Sequence, residues 1–198
     1  MIVLILTKIV LVPVLFVYFK IKTINKQFRK IKGKAIIISN HKSFWDALLI
    51  TYYYWTETIH FLVSKSVFDR KNFGSWYMRQ IGGIETPLVN SGLNPISGAV
   101  SVLQKDRKVV IFPEGRINKT DNFLPFKSGA VLAALKTGAP IIPLYIGGKY
   151  GLFKRVKVVL GKPIYIDAIL GDKSGKQAVL EGTKYLENVM NNLKKQAN

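Results

Sequence analysis

The chain has 198 residues, enough for one domain with a good core, and 48% of them are hydrophobic. It carries 30 Lys and Arg against 11 Asp and Glu, a formal net charge of +19, yet its mean hydropathy is positive; that combination suits a membrane surface or another anionic partner. The absence of cysteine excludes a disulfide framework, a zinc-thiolate site and a thiol nucleophile, and with 2 histidines and no recognised ligand spacing no metal is assigned.

Residues Met1 to Phe19 are nearly all apolar, with Lys8 the only charge and Pro13 placed to kink or bend a helix. As a helix they would reach about 28 Å at ~1.5 Å per residue, just short of a hydrocarbon core of about 30 Å. Lys8 lies close enough to one end to snorkel. Lys20, Lys22, Lys26, Arg29, Lys30, Lys32 and Lys34 follow, with no acidic residue before Asp46. Such a cluster holds to an anionic leaflet at roughly 1 kcal/mol per basic group. The positive-inside rule puts that flank in the cytoplasm. A cleaved leader would want its charge before the apolar stretch and small residues at a cleavage site, and has neither. A buried core helix is the competing reading, and spanning, re-entrant and interfacial placements all stay open. Residues 1–33 are thus read as an anchoring segment with a basic flank, and 34–198 as the main domain.

In that domain Ala35 to Ser39 reads as a buried strand and Ser43 to about Tyr54 as a helix. Ile59 to Ser64 is a second strand, and Lys65 to Ile81 is helical with a break near Asn72 and Gly74. Gly83 to Thr86 is a short strand before Pro87. Asn94 and Pro95 open a helix that runs to about Lys105. Lys108 to Phe112 is a strand, Ile117 to Phe126 an irregular polar-aromatic loop, and Ser128 to Gly138 a capped helix. Strands follow at Ile141 to Ile146, Arg155 to Leu160 and Pro163 to Ile166. A last helix from about Ser174 to Lys195 puts Val179, Leu186, Met190 and Leu193 on one side. The alternation predicts an α/β domain, a largely parallel sheet flanked by helices. The aromatic run Tyr52 to Trp55, with Trp76 and Tyr77, is either an interfacial belt or core.

Two strand exits carry chemistry, where ligands gather in open α/β sheets. At the first, His41 and Asp46 would point about 140° apart on a single helix. They meet only if His41 precedes a helix capped by Ser43. Asp46 then fixes the imidazole tautomer, and the other ring nitrogen is free to take a proton from a hydroxyl. The alternative is that Asp46 merely caps the helix. His60, inside an apolar strand pattern, reads as a packing or surface residue. At the second exit, Phe112-Pro113-Glu114-Gly115-Arg116, the proline stiffens the turn and the glycine lets backbone approach a ligand. Arg116 suits bidentate capture of a phosphate or carboxylate, with Lys119 and Lys127 close in sequence; an ordinary surface ion pair is the alternative.

Together these residues resemble the 1-acyl-sn-glycerol-3-phosphate acyltransferase family, the PlsC-like glycerolipid acyltransferases. Asn40, His41 and Asp46 match its Asn-His-x4-Asp block, Phe112 to Gly115 its Phe-Pro-Glu-Gly-Thr-Arg block, and Ile141-Ile142-Pro143-Leu144 its proline-centred strand. The likeness covers roughly residues 34 to 166 and makes 34–198 an acyltransferase domain. It implies that His41 is the base for an acceptor hydroxyl, that Asp46 orients it, and that Glu114, Gly115, Arg116, Lys127 and Pro143 bind substrate. It also implies acyl-CoA or acyl-ACP as donor, a lysophospholipid acceptor yielding phosphatidic acid, no cofactor, no covalent acyl-enzyme, and work at the cytoplasmic face of a membrane. Backbone N–H groups near the Ser43 helix start are candidates to hold the oxyanion. Two departures stand out. Arg116 and Ile117 replace the usual Thr-Arg, and the second block, Gly82 to Leu88, ends without its usual basic residue, a gap that Arg79, Lys127 or Lys65 would have to fill. Glycerol-3-phosphate or another lysophospholipid is an alternative acceptor. A basic membrane-associated binding protein is the reading from another class; no recognised nucleic-acid module is present.

Overall fold

Uninterrupted β-branched runs bury both faces, so they form the middle of a sheet covered on two sides. That is what the computed structural model has; it describes residues 5–6, 9–10, 19–70, 72–86, 95–152 and 154–197. The strands are β1 (Lys20–Ile24), β2 (Ala35–Ser39), β3 (Ile59–Ser64), β4 (Gly83–Thr86), β5 (Lys108–Ile111), β6 (Ile141–Gly148) and β7 (Arg155–Leu160). The α-helices are α1 (Trp45–Tyr53), α2 (Lys65–Phe68), α3 (Phe73–Gln80), α4 (Ser97–Gln104), α5 (Gly129–Thr137), α6 (Ile166–Leu170) and α7 (Gly175–Ala197). The sheet order is β1-β7-β6-β2-β5-β3-β4. Every neighbouring pair is parallel except β6 with β7.

The chain leaves β2 toward one edge, reaching β3, and leaves β5 toward the other, reaching β6. Right-handed crossovers running in opposite directions put their helices on opposite faces. Accordingly α1 and α3 share one core with Ala35, Ile37, Phe61 and Val110. Helices α4, α5, α6 and α7 share the other with Ile36, Ile38, Val109 and Ile111. The loops after β2 and β5 therefore diverge and open a crevice at the carboxyl end of the sheet.

The break near Asn72 is real: Asn72 caps α3 in a reciprocal capping box with Ser75. Helix α7 buries Ala178, Gly182, Leu186, Met190, Leu193 and Ala197 on one stripe, with Val179 half-buried beside it. Three features differ from the sequence reading. Lys20–Ile24, read as basic flank, is an edge strand parallel to β7. Pro163 to Ile166 is no strand; Ile164 makes one bridge to Ile141 before α6 begins. The aromatic run splits, with Tyr53, Tyr54 and Tyr77 in the core and Trp55 and Trp76 exposed. Lys8, Pro13, Pro87, Leu88 and Asn94 lie outside the described residues, as does most of the apolar stretch before Phe19. Among the described residues no helix is long and apolar enough to cross a membrane.

His60 is half-buried in β3, and its Nε2 finds no hydrogen-bond partner among the described residues. Burial holds its imidazole below the ordinary 6.5, against the opposing hydrogen bond with the Gly82 backbone. Just below that pH the unfolded chain binds more protons than the folded one. The stability that His60 contributes is therefore present above pH 6.5 and lost as pH falls through it. Replacing His60 by Gln is expected to flatten the fall in Tm between about pH 7.5 and about pH 5.5, measured by thermal unfolding beside the unaltered protein.

Candidate active site

Three neighbouring strand exits build the site. At the end of β2 the Asn40 side chain, 1% exposed, extends the ladder to β6. Its Nδ2 donates to Ile146 O at 2.9 Å, and its Oδ1 accepts from Ile146 N at 2.8 Å. With its side chain occupying the ladder, Asn40 ends the strand and releases His41 into the loop ahead of α1.

Asp46 lies in the first turn of α1 and is 0% exposed. Its Oδ2 accepts from His41 Nδ1 at 3.1 Å, Lys42 N at 2.6 Å and Ser43 N at 2.7 Å. The Tyr150 hydroxyl, from the segment after β6, donates to Oδ1. Capping and orienting the histidine, set against each other in the sequence, are thus done by one carboxylate. Ser43 is not the cap: the helix starts at Trp45, Phe44 holds the N-cap position without a side-chain bond, and Ser43 Oγ accepts only from Trp45 N at 3.3 Å. An ionised carboxylate binds two amides more strongly than a hydroxyl binds one, so Asp46 takes over the turn. The same bonds engage the Lys42 and Ser43 N–H groups, two of the amides expected near an oxyanion.

With Nδ1 engaged by Asp46, Nε2 is the other ring nitrogen of His41, the one left for a substrate. The imidazole is 18% exposed and lies flat on Phe112, with centroids 4.0 Å apart and planes at 14°. Phe61 supports Phe112 from behind at 6.5 Å.

The third group comes from β5. Glu114, 5% exposed, turns inward. Its Oε1 accepts from His41 N at 3.3 Å, and its Oε2 from Asn118 Nδ2 at 2.7 Å and Leu124 N at 3.0 Å. Asn118 N in turn donates to His41 O at 2.6 Å. Both backbone groups of His41 are therefore held by the loop after β5. The Glu114 carboxylate is committed to protein donors, whereas the family likeness had it lining the acceptor site. Asn118 and Tyr150 were not anticipated. The Asn118-x-Thr120 spacing is an Asx-turn signal, with Thr120 N donating to Asn118 Oδ1 at 3.0 Å. Tyr150 leaves no sequence signal at all.

Gly115 needs its freedom twice over. Its φ is +70°, and a Cβ there would come within 2.7 Å of Lys127 Cε and Nζ. Lys127 therefore runs across the turn, and it and Arg116 are exposed with no ion pair among the described residues. Of the other cations considered, Lys65 is paired with Glu85 at 3.1 Å and Arg79 stacks on Phe68 at 4.4 Å, leaving Lys127 the one at the turn. Pro143 is not brought to the crevice. It is buried in β6 opposite Ile38, touching the Gly161 turn on the α7 side of the sheet. Among the described residues no three His, Asp or Glu side chains are grouped to hold a metal ion.

A buried carboxylate orienting an accessible imidazole, beside unpaired cations, can deprotonate a hydroxyl on an anionic molecule. Comparison with known proteins bears on which. The acyltransferase family model matches residues 20–147. A protein of Bacillus subtilis named 1-acyl-sn-glycerol-3-phosphate acyltransferase is 28% identical over 150 residues, 73% of this chain and 74% of that one. One of the same name from Cocos nucifera is 32% identical over 119 residues, 59% of this chain but only 38% of the plant protein. In fold, the chain is similar to the crystal structure of the 1-acyl-sn-glycerophosphate (LPA) acyltransferase PlsC from Thermotoga maritima. The TM-score is 0.71 at 21% identity, covering 98% of this chain and 78% of that one. The matched region takes in His41, Asp46, Glu114 and Lys127, and the chain belongs to the acyltransferase family.

Proposed function

We propose that the protein transfers a fatty acyl group from acyl-CoA or acyl-ACP to the free hydroxyl of 1-acyl-sn-glycerol-3-phosphate, giving phosphatidic acid. The observation that carries this reading is the 3.1 Å contact of His41 Nδ1 with the buried Asp46 carboxylate, which leaves Nε2 as the ring nitrogen for a substrate hydroxyl. The names of the relatives support the choice of acceptor.

In this mechanism Nε2 takes the hydroxyl proton as the oxygen attacks the thioester carbonyl, and Asp46 stabilises the imidazolium. The tetrahedral intermediate collapses with loss of the thiolate, which recovers the proton from His41. Arg116 and Lys127 hold the acceptor phosphate. Glu114 acts on the backbone of His41 rather than on the phosphate.

The site works at the cytoplasmic face of a membrane, anchored by the apolar residues before Phe19. Exposed Lys20, Lys22, Lys26, Lys30 and Lys32 favour an anionic leaflet. Phe44, Trp45, Phe73 and Trp76 are 39%, 40%, 73% and 47% exposed. Tyr77 links Phe44, at 6.1 Å, to Phe73, at 6.0 Å, and Phe73 meets Trp76 at 5.5 Å. Such an aromatic ridge beside the crevice suits the headgroup region.

His41→Ala is expected to lower turnover by about 10² to 10⁴ with the fold intact by circular dichroism. Near-normal turnover in that variant would remove the mechanism. Arg116→Ala and Lys127→Ala are expected to raise the acceptor KM about tenfold each, as for loss of one charge-assisted bond. Glu114→Gln should instead lower kcat. Steady-state assays against lysophosphatidate, glycerol-3-phosphate and other lysophospholipids separate these effects and identify the acceptor. A Phe73→Ser/Trp76→Ser variant should sediment less with anionic phospholipid vesicles than the unaltered chain; equal sedimentation counts against the ridge as a lipid contact.

A further inference from the structure

Tyr150 lies outside both sequence motifs and beyond the region that the family model matches. Its hydroxyl nevertheless reaches the buried Asp46 carboxylate from 104 residues away. The three donors other than Tyr150 all crowd onto Oδ2, and Tyr150 alone serves Oδ1. A carboxylate rotates easily about its Cβ–Cγ bond. In a site with no exposure, a bare Oδ1 bears its desolvation penalty uncompensated. Without Tyr150 the carboxylate gains by swinging Oδ1 toward the Lys42 and Ser43 amides, which would pull Oδ2 off the axis of His41 Nδ1.

Tyr150 is itself held in place. Phe19, 2% exposed, meets its ring edge-on at 5.2 Å and meets the Trp45 ring, next to Asp46 in α1, at 5.7 Å. Gly148 at φ +82° turns the chain out of β6, where a Cβ would lie 2.3 Å from Arg155 O. The Asn40–Ile146 pair fixes the spacing of β6 from β2. Burial first, and then the Asp46 charge, hold the phenol far above its ordinary titration range, so it remains a donor at any working pH.

We propose that Tyr150 is a positioning residue for acyl transfer: its hydroxyl locks the Asp46 carboxylate so that Oδ2 stays aligned with His41 Nδ1, and thereby aims Nε2 at the acceptor hydroxyl. This rests on His41 being the base.

A double-mutant cycle tests it in the full-length protein with lysophosphatidate and an acyl thioester. Tyr150→Phe is expected to lower kcat about 10- to 100-fold, as misplacement of a reacting group does, with both KM values within about twofold. In an Asp46→Asn background the same change should alter kcat by less than about twofold, because the carboxylate it acts through is gone. An equal drop in both backgrounds, or a change in KM and Tm with kcat intact, overturns the proposal. If Tyr150→Phe alone fails to fold, Asp46→Asn with and without it decides, since that pair buries no charge. If Asp46→Asn turnover is too slow to measure, NMR of the hydrogen-bonded Nδ1 proton of His41 decides. An upfield move in Tyr150→Phe supports the lock, and an unmoved signal overturns it. Retained turnover in His41→Ala would sink the base reading itself, whereas an inactive His41→Ala beside a fully active Tyr150→Phe sinks only the role of Tyr150.

Discussion

A carboxylate with no solvent exposure has to be given back its hydration by the protein, and the carboxyl end of this sheet is arranged around that requirement at Asp46. An ion taken out of water costs several kcal/mol even after the protein relaxes. Charge-assisted hydrogen bonds return about 1.5–3 kcal/mol each, so a single partner would not suffice. Asp46 has four: the His41 ring, the Lys42 and Ser43 amides and the Tyr150 hydroxyl. By contrast the Lys42–Asp121 pair at 3.6 Å, with Asp121 94% exposed, contributes at most about 1 kcal/mol. The buried anion, not the surface charge, decides the local geometry, and the direction of the imidazole follows from it.

The His41 backbone is fixed by a second chain of contacts from the opposite face. Glu187 on α7 accepts from Phe126 N at 2.7 Å. Lys194, about two turns further along, lies over the Phe123 ring at 5.8 Å. These hold the loop that carries Asn118 and Leu124, and the loop delivers Glu114 to the His41 amide. His41 is thereby positioned from both layers of the domain: its ring by the α1 side, its main chain by the α7 side. Pro143 contributes only from within the sheet.

Asp46 and Glu114 are buried and His41 half-buried, while Arg116 and Lys127 are exposed. That division suits a reaction in which a proton moves inside the crevice and a phosphate is gripped at its rim. Arg116 standing directly after Gly115, with Lys127 crossing the same glycine, offers a grip made from one turn rather than from two blocks. Lys65 and Arg79 have protein partners, Glu85 and the Phe68 ring.

The layered architecture was readable because its causes are local. Runs such as Ala35 to Ser39 have no polar face and must be buried strands, and the spacing of Leu186, Met190 and Leu193 admits only a helical stripe. The His41–Asp46 pair was readable too, since a five-residue gap across a helix start brings the two together. Other features had no local signature. Lys20–Ile24 has three polar residues in five, too short and irregular a pattern to mark a strand, and pairs along the edge that β7 offers. Glu114 carries the same letter whether it faces a ligand or the His41 amide, and only the approach of two loops decides. Tyr150 reaches Asp46 because Asn40 ties β6 to β2. Periodicity and short motifs thus determined the elements and the pairing of His41 with Asp46. Tertiary structure decided which groups hold that base, because hydrogen bonds between distant strand ends exist only once the sheet has brought those ends together.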